Sequence, residues 1–324
     1  MTKPLLALGL LLSALSAPLA ASDAPAPRPL DDRPLDDKAL TARYALPGSR
    51  FAEIAGERVH YVSQGKGPAI LLLHGSYASL RQWDDWAKRL SRRYRVVRYD
   101  QSPAGLSGPS PSGDYSVEHR IAVIDGLMDR LGIARFVIVG TSSAGLPAAA
   151  YAAARPQRVS GVVLNNIAAG PLKFDFDNVA PALKAAVAAD AAHPGWHSGE
   201  FWRQIMLANM VDASRVTPGL VGQWTDLNNR MLRDPEVGKA AAAASSFART
   251  PDDLRRITAP TLLLWSAQDH ETPADKDGRQ ALDLLASQDK SLEIVDNCGH
   301  MMPLDCPARA LGAALPFLAR VAGK

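Results

Sequence analysis

The 324-residue chain has little to stabilise it covalently, because it contains only two cysteines, Cys298 and Cys306. A disulfide-dense scaffold is therefore excluded. Neither cysteine stands in a paired-ligand spacing with histidine, so no metal site is expected and no cofactor is implied. Aromatic residues are only 6% of the total, and the formal net charge is +3. No lysine or arginine run is dense enough to track a nucleic-acid backbone, so nucleic acid is not an expected partner. The one extended apolar stretch, Leu5 to Leu15, is too short to span a bilayer. With 47% hydrophobic residues the chain can bury a large core, which suits one sizeable domain carrying an insertion.

Residues 1–22 read as an export signal. Lys3 supplies the positive flank, Leu5 to Leu15 the apolar core, and Ala17, Ala20, Ala21 and Ser22 the small residues of a cleavage site. Cleavage after Ser22, Ala20 or Ala21 fits; an uncleaved anchor is the rival reading. The expected destination is periplasmic or secreted, with no stable membrane anchor after cleavage. Residues 23–48 follow, rich in Pro, Ala and Asp, with the pentad at 28–32 repeated at 33–37. Little there can be buried, so the segment is expected to be extended or disordered and reads as a spacer after the signal, with a docking tail as the rival reading.

From residue 49 the pattern alternates strand and helix. Continuous apolar runs, such as Ala69 to Leu73 and Arg135 to Val139, suit strands buried on both faces. Val117 to Leu131 is amphipathic at helical spacing, and Trp83 and Trp86 sit at core spacing in a helix over 80–90. Directly after Val139 come Gly140, Thr141, Ser142, Ser143, Ala144 and Gly145, then an alanine-rich helical stretch. A serine hydroxyl is a poor nucleophile until it is lifted clear of its neighbours and given a base. A sharp strand-to-helix turn does the lifting, and it needs small residues two before and two after the serine. Gly140 and Ala144 meet that need for Ser142. A register on Ser143 would put Thr141 where a small residue is required.

Three further features follow apolar strands. His74, Gly75 and Ser76 end the run at Leu73; Asp269 follows the strand 261–265; His300 lies in a glycine-containing loop after the strand 292–295. Nucleophile, acid, histidine is a recognisable chain order. On these four motifs, over roughly residues 49–322, the chain resembles the α/β-hydrolase family. The resemblance implies an α/β fold with a mostly parallel central sheet flanked by helices, and a Ser142, His300 and Asp269 triad. It further implies an oxyanion hole from the backbone N–H groups of Ser76 and Ser143. Asp100, in a loop similar to the family's Asp-x-x-x-x-Gly-x-Ser turn, precedes the nucleophile and reads as a loop-former. Asn165 and Asn166 occupy a strand end where some relatives carry the acid; here they are amides.

The core is assigned to 49–170 and 251–324, with 171–250 a helical lid. Tyr77, Trp196, Trp202, Met206 and Trp224 are candidates for contact with substrate, packing being the alternative for each. Cys298 and Cys306 bracket His300 and read as a disulfide that fixes its loop, contingent on export, with two free buried thiols as the alternative. The expected activity is serine-dependent hydrolysis of a small or medium, largely apolar carboxylic ester or lactone. The partner is thus a small ester-like molecule; oligomeric state is left open. The alternative is other carbonyl chemistry on the same fold: C–C bond hydrolysis, amide or peptide cleavage, or perhydrolysis. A hydrolase-like binding protein without chemistry is the third reading, and the complete serine, histidine and aspartate set weighs against it. A serine rather than an aspartate nucleophile argues against dehalogenase and epoxide-hydrolase chemistry.

Overall fold

A computed structural model describes residues 35–172, 179–193 and 195–323. The proposed signal segment, the first part of the linker to residue 34, and residues 173–178 lie outside the described residues. The strands are β1 (Ser49–Ile54), β2 (Glu57–Gln64), β3 (Ala69–Leu73), β4 (Arg95–Tyr99), β5 (Phe136–Thr141), β6 (Val159–Asn165), β7 (Thr261–Ser266) and β8 (Lys290–Val295). They form one sheet in the order β1-β2-β4-β3-β5-β6-β7-β8. The β1–β2 and β2–β4 pairs are antiparallel, and every pair from β4 to β8 is parallel.

The helices are α1 (Asp37–Tyr44), α2 (Asp84–Leu90), α3 (Val117–Arg130), α4 (Gly145–Ala154), α5 (Pro181–Asp190), α6 (Gly199–Asn209), α7 (Pro218–Leu232), α8 (Pro235–Ala243), α9 (Thr250–Leu254), α10 (Arg279–Leu284), α11 (Met302–Asp305) and α12 (Pro307–Val321). Strand side chains alternate between two cores because the strand period is two. Leu71, Leu73 and Ile138 face α3 and α4, whereas Ile70, Leu72, Val137 and Val139 face α2 and α12. Each fully buried aliphatic side chain contributes roughly 1.5–3 kcal/mol, which is why the central strands β3 and β5 read as unbroken apolar runs. Trp83 and Trp86 are fully buried in the second core, edge to face at 5.1 Å.

The sheet sets out the chemistry by levelling its strand ends. Leu73 pairs with both Tyr99 and Gly140, Thr141 with Asn165, and Ser266 with Val295. The residues just past these ends are His74, Asp100, Ser142, Asn166, Asp269 and His300, so they gather on one rim, where ligands of open α/β sheets bind.

The extended-linker expectation for 23–48 fails over its last part. Asp36 caps α1 by accepting from Ala39 N–H at 2.7 Å. Leu40 and Tyr44, one helical turn apart, are buried against Leu106 and Leu227. Counting prolines and aspartates hid that i, i+4 pair. Between β6 and β7 the described residues form α5–α9. No helix among the described residues is long and apolar enough to cross a membrane.

Candidate active site

Ser142 is held with φ +52°, a left-handed backbone that a non-glycine residue adopts only under constraint. The constraint is local. A Cβ on Gly140 would lie 2.5 Å from the Ala144 carbonyl oxygen and 2.7 Å from the Ala148 Cβ. Only glycine there lets α4 pack directly over the end of β5. The positive φ falls on Ser142 and not on Ser143, which separates the two registers. The single 3-10 turn Ser142–Ala144 leads straight into α4, whose N-terminal end is turned toward Ser142 and adds positive potential there.

Opposite Ser142 stands the turn after β3. A Cβ on Gly75 would lie 3.2 Å from the Ser142 Cβ, so the turn and the elbow are in contact. Gly75 N–H donates to Gln82 Oε1 at 2.9 Å, and Tyr77 takes φ +58°. His74 is buried, with Nδ1 2.8 Å from the Gly75 carbonyl and Nε2 accepting Gln101 N–H at 2.9 Å. That pairing suits a neutral ring, and burial indeed pushes its pKa down. Ser76 is exposed in this turn beside the elbow.

His300 Nε2 lies 2.8 Å from Ser142 Oγ, and its Nδ1 lies 2.9 Å from Asp269 Oδ2. Asp269 closes a tight loop on itself. Its Oδ1 accepts the N–H groups of Glu271 (2.9 Å) and Thr272 (3.0 Å), and its Oδ2 accepts the Thr272 hydroxyl (2.8 Å). Burial works against a charged Asp269, yet the His300 charge and these donors outweigh it and hold the carboxyl below the ordinary range. Burial likewise disfavours the imidazolium of His300. The carboxylates of Asp269 and Glu271 overcome that and raise it to about 9.

Two other elements aim the histidine. Asn166, at φ +47°, donates from Nδ2 to the His300 carbonyl at 2.9 Å and to Ser266 Oγ at 2.9 Å. Its Oδ1 accepts Ser266 N–H at 2.8 Å. Asp305 accepts Gly299 N–H at 2.6 Å and also the N–H groups of Val211 and Asp212, tying the histidine loop to the end of α6. Cys298 and Cys306 form a disulfide across this loop, Cα to Cα 5.6 Å.

Sequence reasoning did not find Glu271, whose Oε2 lies 3.4 Å from His300 Nε2. No spacing signal marks it; only the path of the loop after Asp269 brings it there. The sequence marks Asn166 only as an amide where an acid could stand, and carries no sign of its grip on His300. Of the candidate substrate contacts, Tyr77, Trp202, Met206 and Trp224 share one cluster, which also includes Met301, next to His300. The Tyr77 and Trp202 rings are 5.4 Å apart. Trp196 is not brought into this cluster and stands edge-on to His193.

Asp100 serves its loop. It accepts Leu80 and Leu106 N–H groups at 2.6 Å each and pairs with His60 Nδ1 at 2.7 Å. A Cβ on Gly105, at φ +54°, would strike its carboxylate at 2.1 Å, which explains the glycine. His60 Nε2 in turn lies 2.7 Å from Ser49 Oγ. This second Asp–His–Ser chain lacks the strained elbow and the facing turn, and Ser49 Oγ already accepts Leu46 N–H at 2.8 Å.

Elbow, levelled strand ends and inserted helices together define a class. The chain belongs to the α/β-hydrolase fold family, whose sequence profile it matches over residues 68–307. It is 30% identical, over 272 residues, to the 2-hydroxy-6-oxononadienedioate/2-hydroxy-6-oxononatrienedioate hydrolase 2 of Pseudomonas putida, covering 78% of this chain and 90% of that one. Among solved structures it resembles the meta-cleavage product hydrolase of Pseudomonas fluorescens IP01, with TM-score 0.67 and 23% identity over 84% of this chain and 97% of that one. It also resembles the enol-lactonase of Burkholderia xenovorans LB400, with TM-score 0.63 and 22% identity over 83% of this chain and all of the other (100%). The chain is an α/β-hydrolase-type enzyme.

Proposed function

We propose that this enzyme hydrolyses a small or medium, largely apolar carboxylic ester or lactone through an acyl-enzyme at Ser142. The observation that carries the reading is the unbroken chain from Ser142 Oγ to His300 Nε2 (2.8 Å) and from Nδ1 to Asp269 (2.9 Å), on a serine at φ +52°. In the neutral ring Nδ1–H donates to Asp269, leaving the Nε2 lone pair to accept the Ser142 proton. As Ser142 attacks the carbonyl carbon, His300 becomes imidazolium and Asp269 stabilises it. The N–H groups of Ser76 and Ser143 are assigned to the oxyanion; contact between the Gly75 turn and the elbow supports that pairing. His300 then protonates the leaving group and activates water to release the acyl group.

The apolar cluster of Tyr77, Trp202, Met206 and Trp224 supports an apolar acyl or alcohol group, with α5–α8 acting as a lid. The Cys298–Cys306 disulfide supports export to an oxidising compartment, periplasmic or extracellular, with residues 1–22 as the signal. A second reading, C–C bond hydrolysis of a dienone acid, is favoured by the Pseudomonas putida relative at 30% identity.

The test is a panel of p-nitrophenyl esters of rising chain length, set beside aryl amides and dienone acids. Fluorophosphonate labelling reports whether Ser142 is reactive. Ser142→Ala is expected to lose turnover by several orders of magnitude. Ser143→Ala, which keeps its backbone N–H, is expected to lose far less. An equally severe loss in Ser143→Ala alone overturns the assignment of Ser142, and dienone acids cleaved to the exclusion of esters establish the second reading.

A further inference from the structure

Asp269 carries its charge in a closed setting: its side chain is 0% exposed and is fully occupied by His300, Thr272 and two N–H groups. Glu271 is different. Its side chain is 33% exposed, and its Oε2 lies 3.4 Å from the same Nε2 that faces Ser142. It stands on the reacting side of the imidazole, at the open rim. Its negative charge also reaches Tyr77 in the turn after β3, whose hydroxyl is held up at about 12 mainly by burial and secondarily by Glu271. Glu271 is therefore near the nucleophile, the base and the oxyanion turn at once. Among the described residues it forms an ion pair with His300 and with no lysine or arginine. When His300 is neutral, as the proposed general base must be, Asp269 and Glu271 both face the imidazole, with no lysine or arginine paired to Glu271 among the described residues.

We propose that Glu271 is the charge filter of this site, excluding acyl donors that carry an anionic group on a short acyl chain, a few bonds from the scissile carbonyl, and admitting neutral or cationic ones. This rests on acyl transfer at Ser142, and it narrows the substrate class. A carboxylate of the substrate bound some 6–8 Å from Glu271 would feel a repulsion worth a factor of about ten to a hundred in binding at an intermediate effective dielectric. The lower end suits a group that is a third exposed, because water screens it.

The experiment compares kcat/KM for p-nitrophenyl pentanoate, the p-nitrophenyl half-ester of glutarate, and a trimethylammonio-butyrate ester, in wild type and in Glu271→Gln. Wild type is expected to prefer the neutral ester over the anionic one at least tenfold. Glu271→Gln, which is isosteric, is expected to bring that ratio close to one, chiefly through a lower KM for the anionic ester. The acid limb of its kcat/KM profile should also move to lower pH, because one of the two carboxylates facing His300 is gone. An unchanged ratio in Glu271→Gln, or a wild-type preference for the anionic ester, overturns the proposal. If wild type turns over none of these esters, the ester reading fails separately. Inactivation rates with a neutral and a carboxylate-bearing fluorophosphonate then measure the same ratio without requiring turnover. Faster inactivation by the neutral probe in wild type, equalised in Glu271→Gln, supports the charge filter; equal rates in wild type overturn it.

Discussion

Asn166 Nδ2 donates to the backbone carbonyl of His300 at 2.9 Å, so the end of β6 holds the loop that follows β8. The same amide binds Ser266 through both its oxygen and its nitrogen, which spans β7 as well. On the proposed mechanism Asn166 is a positioning residue acting through His300. Asn166→Ala is expected to lower kcat by about 10- to 100-fold with KM little changed, since sub-ångström placement of a general base is costly to lose. The left-handed φ of +47° is a competing reason for asparagine here. Asn166→Gly separates the two: it relieves the backbone but not the lost amide, so it should be as impaired as alanine. Recovery in the glycine variant would show that backbone strain, and not the grip on His300, was at stake.

Activity and stability are expected to respond to pH in opposite directions. His300 is raised to about 9, and the proposed mechanism requires it to be neutral when it acts as the base. Hence kcat/KM should rise about tenfold per pH unit from pH 6 toward pH 9, then level off. For stability, a group raised above its unfolded value of about 6.5 contributes fully below that value and loses its contribution as pH climbs through 9. Asp269 is depressed, so its contribution is present above about pH 3.9 and is lost as pH falls through its lower folded value. The pair therefore stabilises most between about pH 4 and 6.5, below the range of best activity. Melting temperatures of wild type and His300→Gln across pH 5 to 10 check this. The wild-type decline above pH 6.5 should be absent from the variant.

The Cys298–Cys306 disulfide closes a loop with a sequence separation of 8, and His300 lies inside it. A loop of that size restricts the unfolded chain by roughly 2–3 kcal/mol in the chain-entropy account. Replacing both cysteines by serine should lower stability by about that amount and lower kcat as the histidine loop loosens. Asp305 still ties Gly299 to Val211 and Asp212, so the loop should not be lost altogether. Thiol titration with and without reductant, read beside melting temperature and kcat, is the measurement. No change in either quantity on reduction would mean that those hydrogen bonds suffice alone.

What was legible in the chain was the placement of polar residues just past strand ends. Ser142, Asp269 and His300 each come within a few residues of an apolar run, and a parallel sheet levels those ends whatever the intervening helices do. Ser142 was separable from Ser143 because small neighbours are a local demand of the turn. Glu271 and the role of Asn166 were not legible, because each depends on where one side chain points across a gap between two distant loops. The helix α1 was missed for another reason. Its own sequence is polar, and the apolar surface that makes it helical belongs to Leu106 and Leu227, which lie far along the chain. Tertiary context, not propensity, ordered it.

That helix bears on the inserted segment. Tyr44 Oη donates to Asp226 and to the Gly222 carbonyl, both on α7. Arg230, also on α7, reaches Asp37 on one side and the Gly105 carbonyl of the Asp100 loop on the other. Arg233 donates to the Leu35 carbonyl at 2.6 Å. The segment before β1 therefore straps α7 to the body, and α7 carries Trp224 of the apolar cluster beside the site. Leu40, wholly buried, is the apolar centre of the strap. Leu40→Ala should destabilise by about 2–5 kcal/mol if the unit unfolds as a whole. If α1 and α7 open locally first, the same change should appear as faster amide exchange in α1 and α7 and as a raised KM for longer acyl chains, with little loss of global stability. Lys38→Ala, exposed on the opposite face, is the control. Exchange that accelerates in α1 alone would show that the strap rests on α7 without restraining it.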